Sequence, residues 1–224
     1  IEFAHRLAKT HTVEISHPQK ATLLEHLQSW EQALRNANAF FNAAPARDLP
    51  VSRAGEWMLD NFYVVEQTLH QIEEDLPESY YNQLPKLDQT ALKGMPRIFG
   101  LAWEWSGCSQ SQLDLAQTAL FVQDYQLVTP LTIGELWALP IMFRIGILEQ
   151  LAYVTAELTG MDAPSRAGQH PAAPPGTGTA SALKSLSEIP SKFTSPSLAN
   201  EAIVANCFLS LRLLSATDWN DFFE

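Results

Sequence analysis

Residues 132 to 158, TIGELWALPIMFRIGILEQLAYVTAEL, constrain this chain more than any other stretch, because apolar side chains fall on nearly every face of one long helical run. Thr132 and Glu135 match a capping box, in which the hydroxyl and the carboxylate each satisfy an otherwise unpaired amide, so the helix is predicted to start near Thr132. A membrane span needs about 20 consecutive, mostly apolar residues. Here Glu135, Arg144, Glu149 and Glu157 interrupt the run, and its longest charge-free piece is Leu136 to Phe143. Central charges cost several kcal/mol each in a bilayer, so the reading favoured is a core helix enclosed by other helices. Glu135 and Arg144 then require partners of opposite sign or hydrogen bonds. Pro140 should kink the helix, since it removes one donor and crowds the preceding turn.

The rest of the chain follows the same helical spacing. No repeat is visible, and strand-like alternation is nearly absent. A short helix is expected over 2–13 and a long one over 20–44, with Leu23, Leu27, Trp30, Leu34, Ala37 and Phe41 on its buried face. Ser52 should cap a third, in which Met58, Phe62, Val65, Leu69, Ile72 and Leu76 step by fours and threes. Pro77 and Pro85 bracket a helix end and an irregular or one-turn segment. Pro96 is expected to open a helix over RIFGLAWEWSG, and Asp114 another that includes Leu120, Phe121 and Tyr125, both short and well buried. From 161 to 192 the composition turns to Pro, Gly, Ala and Ser, which reads as a linker or long loop. Ser197 can cap a final helix with Ile203, Cys207, Leu211 and Leu214 on one face. The expected fold is all-α, an array of about seven helices: a main domain over 1–160, the linker, and 193–224 packing back on the main domain.

Charge and motif content exclude several functions. A net charge of -11, from 25 acidic and 14 basic residues, argues against nucleic acid as a partner. Neither GxGxxG nor GxxxxGK[ST] occurs, so those phosphate cradles are absent. No HExxH occurs, and His5, His11 and His17 read as solvated or capping residues rather than metal ligands. Cys108 and Cys207 form no CxxC pair, no Ser or Cys sits in a nucleophile turn, and reducing surroundings are assumed. The start at Ile1, with no basic segment leading into an apolar one, predicts no signal peptide here and a chain that is a piece of something longer.

Two groups could carry chemistry. Glu56 and Asp60 are one helical turn apart, with Asn61 beside them, and paired carboxylates divide acid and base roles in glycosidic chemistry when their pKa values separate. Adjacent residues on one helix seldom flank a substrate, so a solvated or hydrogen-bonded helix face is the favoured account of them. The stretch EEDLPESYY joins Glu73, Glu74 and Asp75 to Tyr80 and Tyr81, a composition suited to sugars, whose apolar faces stack on rings while hydroxyls meet carboxylates. Acids at a helix C-terminus oppose its dipole and call for a reason. Core packing suffices for the six tryptophans, Trp30, Trp57, Trp103, Trp105, Trp137 and Trp219.

The blocks AGEWMLDNFYVVEQTLHQIEEDLPESYYNQLPKL, GMPRIFGLAWEW, YQLVTPLTIGELWALPIMFRIGILEQL and SLRLLSATDWNDFFE resemble the amino-terminal region of cyclic β-1,2-glucan synthases, from about Leu7 to Glu224 and weakly between 161 and 192. At 107–114 the chain reads GCSQSQLD in place of the family's His-Thr-Asp element, so no role is assigned there. The resemblance implies a large bacterial inner-membrane enzyme that polymerises glucose from UDP-glucose, with a divalent metal, and closes the product into a ring. Its glycosyltransferase and membrane domains would lie downstream and be this region's partners, together with β-1,2-glucan. Asp-x-Asp and Gln-x-x-Arg-Trp, which such transferases use, are missing here, so no catalytic or metal-binding residue and no cofactor is assigned to this chain. What it implies instead is a helical accessory region on the cytoplasmic side. Its candidate interface or glucan contacts are Glu56, Trp57, Asp60, Asn61, Asp75, Tyr80, Tyr81, Arg97, Glu135 and Trp137. A helical glycan-active enzyme, or a protein-interaction module, are the alternatives.

Overall fold

A computed structural model of the chain describes residues 2–14, 22–44, 51–89, 91–168 and 196–219. The described residues form eight helices: α1 (Glu2–Thr10), α2 (Thr22–Ala43), α3 (Arg53–Asp75), α4 (Glu78–Gln83), α5 (Arg97–Cys108), α6 (Leu115–Gln126), α7 (Ile133–Thr159) and α8 (Pro196–Ala216). Two short strands, β1 (Val13–Glu14) and β2 (Lys86–Leu87), pair antiparallel with Val13 opposite Leu87. The fold is all-α as expected. The eighth helix is the short α4, a little longer than the single turn predicted between Pro77 and Pro85.

Helix α7 is the centre around which the others pack, touching α2, α3, α5 and α8. By length and composition it could cross a membrane, but 89% of its apolar window is buried inside the protein, in line with the core-helix reading. It is continuous through Pro140. The Thr132–Glu135 capping box forms as predicted, and the helix ends at Gly160, whose φ of 66° lets Met161 N–H reach back to the Ala156 carbonyl at 3.0 Å. Gly146 gives α5 room: a Cβ there would lie 3.7 Å from the Trp103 Cα. Every residue of the predicted α2 stripe is buried, and so is that of α3 except Phe62, which packs half-buried on the core.

Three details differ from expectation and one boundary agrees. Helix α1 stops at Thr10, where the Thr10 hydroxyl donates to the Leu7 carbonyl at 2.9 Å and His11 turns inward, leaving the chain extended for β1. Pro96 opens α5 as expected: it is the N-cap, with an extended ψ of 134°, and it bridges to Lys86. Asp114 does cap α6, accepting from Gln117 N–H at 2.9 Å, but α6 covers the molecule from outside and leaves Leu120 exposed, so it is less buried than predicted. Helix α8 begins at Pro196, ahead of Ser197, whose side chain lies outside the described residues. Of the stretch read as a linker, 169–192 also lies outside them. Residues 161–168 are held to the core, with Ser165 O accepting from Trp30 Nε1 at 2.9 Å and Ala167 N–H donating to Glu149 at 2.8 Å.

Candidate functional site

The structure separates the candidate residues into three places. The first is interior. Arg97, from the first turn of α5, donates through Nε and Nη2 to the two oxygens of Glu135 at 2.8 and 2.6 Å, and through Nη2 to the Pro130 carbonyl at 3.1 Å. Glu135 is fully buried and also accepts from the Thr132 amide and hydroxyl, so the capping box and the ion pair share one carboxylate. Burial works against the Arg97 charge, and the Glu135 bonds outweigh it. Beside the pair, His11 Nδ1 and the Tyr125 hydroxyl share a 3.1 Å hydrogen bond against Gly100, where a Cβ would come 3.3 Å from the imidazole. His11 is therefore buried, contrary to the solvated reading, and burial together with the Arg97 charge brings its pKa to about 4. Tyr81 is wholly buried, with the Lys86 ammonium 3.4 Å from its ring centroid and bonded to its carbonyl at 2.6 Å. None of these groups faces a cleft.

The second place is the N-terminal part of α3. Glu56 and Asp60 are exposed there and line neither groove of the molecule. Trp57 stacks on Phe208 with centroids 6.3 Å apart, and buried Asn61 accepts from Arg212 at 2.5 Å, so these two tie α3 to α8. Glu56 and Asp60 lie side by side on the exposed face of one helical turn, whereas glycosidic acid–base chemistry sets its two carboxyl groups on either side of the bond to be cleaved. Asp75 lies about 22 Å further along the helix than Asp60.

The third place is a groove of about 500 Å³ lined by Asp75, Tyr80, Ile133, Gly134, Trp137, Pro140, Ile141, Arg144 and Trp219. Its walls come from the end of α3, from α4, from the first turns of α7 and from Trp219, three residues beyond α8. Tyr80 fastens α4 to α7 by donating to the Gly134 carbonyl at 2.6 Å. Trp137 is 56% exposed, so core packing does not account for it. Arg144 Nη2 donates to Leu214 O at 3.2 Å, and Trp219 Nε1 donates to the same carbonyl at 3.1 Å. That carbonyl belongs to the last turn of α8, where helix carbonyls lack partners of their own. Burial lowers the Arg144 pKa and Asp75 opposes it, which gives one of the acids at the end of α3 a cation to act on. Glu73 and Glu78 border a second, smaller groove of about 270 Å³, so the acidic–aromatic stretch at 73–81 is divided between two grooves and the interior.

Sequence reasoning brought Asp75, Tyr80 and Trp137 forward and missed Arg144 and Trp219 as their neighbours. The available signal was the demand that Arg144, set in an apolar helix, find a partner. Among the described residues no three His, Cys, Asp or Glu side chains gather into a group able to hold a metal ion. Both cysteines are free.

The chain is similar to the cyclic beta-(1,2)-glucan synthase NdvB of Rhizobium meliloti (strain 1021), with 36% identity over 101 residues. The match takes in 45% of this chain and only 4% of that much longer protein. No protein-family model matches the chain. The likeness supports a tie to the cyclic glucan synthases, carried by under half of the chain.

Proposed function

We propose that this chain is a non-catalytic accessory region of a membrane-bound cyclic β-1,2-glucan synthase, lying on the cytoplasmic side of a bacterial inner membrane. It docks on the downstream glycosyltransferase and membrane domains of the same polypeptide and contacts glucan, while UDP-glucose and its divalent metal are handled downstream. The observation that carries the reading is the 36% identity over 101 residues to a cyclic glucan synthase. Further support comes from the placement of the acids: Glu56 and Asp60 share the exposed face of one helical turn instead of facing each other across a cleft. The exposed Leu127 and Ile133 supply apolar surface for docking.

Two measurements test this. Expressed separately from the rest of the synthase, the chain should co-purify with it, and a synthase lacking this region should lose polymerisation that the added chain restores. Incubated alone with UDP-glucose or β-1,2-glucan, it should yield no new product; transfer or hydrolysis by the purified chain would make it an enzyme and overturn the accessory role.

A further inference from the structure

The groove at the end of α3 holds a group that the packing leaves unmet. Arg144 is 7% exposed, and its buried Nε has no hydrogen-bond partner. Closing the end of α8 through Leu214 O occupies Nη2 and leaves that Nε unused. A guanidinium withdrawn from water and short of a partner costs free energy, and this one forms part of a groove wall, where a polar ligand group beside it would lower that cost. The remaining lining is of two kinds. Trp137, Trp219 and Tyr80 offer aromatic surface, and Asp75 supplies a carboxylate. A cleft of about 500 Å³, mostly apolar with a few polar groups, has the size and make-up of a small-ligand site.

The geometry points to a glycan subsite in which a neutral pyranose unit lies on Trp137 and places a hydroxyl between Asp75 and the face of the Arg144 guanidinium that lines the groove. A hydroxyl suits this lining because it accepts from a guanidinium and donates to a carboxylate at once. A carboxylate or phosphate would meet Arg144 but be repelled by Asp75, in a chain whose net charge is already -11. The apolar face of a pyranose matches an exposed indole, whereas the small polar anions do not. The inference rests on the glucan contact proposed above; it adds where that contact lies, and assigns Arg144 and Trp219 to it.

The test is titration of the 224-residue chain with a linear β-1,2-linked glucohexaose, read from the tryptophan indole N–H signals. The expected result is a saturable shift of the Trp137 signal. Trp137→Ala and Asp75→Ala change exposed positions, so both proteins should fold, and binding should weaken about tenfold in the first and several-fold in the second. Arg144→Met should abolish binding; should that variant fail to fold, the two exposed variants still decide. The absence of any shift at millimolar hexaose would overturn the subsite, as would undiminished binding by Trp137→Ala or tighter binding of glucuronate than of glucose oligomers. Co-purification with the rest of the synthase is read independently, so the subsite can fail while docking stands, and the reverse.

Discussion

Arg97 and Arg144 are buried almost equally, 5% and 7% exposed, and the difference between their surroundings separates a structural cation from one held ready. Arg97 has a fork-to-fork carboxylate and a carbonyl, and Glu135 in turn is tied into the start of α7. Arg144, about 14 Å further along that helix than Glu135, has one carbonyl and a spare N–H. Buried charge is tolerated in both places, by full neutralisation in the first and by adjacency to an open groove in the second.

The strongest way to break this contrast is to remove Glu135. Glu135→Ala strands the Arg97 charge and opens the cap together, so urea denaturation should show a loss of about 3–5 kcal/mol. A loss under about 1 kcal/mol would mean that water reaches Arg97 and that the two sites are alike. Acid should find the same side of the contrast. Folded His11 stays neutral to about pH 4, while the unfolded chain takes up that proton near 6.5. The unfolded state therefore binds more protons between these values, and the His11 contribution is present above 6.5 and lost as the pH falls to 4, up to about 3 kcal/mol. Denaturation series across that window should show a slope that His11→Gln removes.

Thr132→Ala sharpens the picture by weakening the cap while leaving both charges of the pair in place; about 1 kcal/mol is expected, and because Thr132 and Arg97 bond to the same Glu135 carboxylate, the Arg97→Met background should change it by about 0.5 kcal/mol or more. Smallest of all is Arg144→Met. It removes a charge without stranding a buried carboxylate, so thermal melting should place it within about 0.5 kcal/mol of the parent, or above it. A loss as large as that of Glu135→Ala would make Arg144 structural too.

Much of this was readable in the sequence. The stripe from Met58 to Leu76, the Thr132–Glu135 box and the Asp114 cap depend on neighbours three or four positions away, and spacing alone reveals them. Helix α1 was read too long because what ends it, His11 turning toward Tyr125, lies across the molecule. The groove was harder still. Asp75, Trp137, Arg144 and Trp219 sit on separate elements and meet only when α3, α7 and α8 pack together, so residue type flagged some of them and nothing local could assemble them. Trp57 illustrates the converse, since an aromatic singled out as a candidate contact turns out to be stacked on Phe208.

The β1–β2 pair carries a consequence for biogenesis. Among the described residues, 2–14 are fastened by partners far ahead in the chain: α1 lies on α6, Ala8 O accepts from Thr129 Oγ1, and β1 pairs with Leu87. During synthesis this segment is made early and docks late, so the apolar side formed by Ala4, Leu7 and Ala8 must be shielded in the interval.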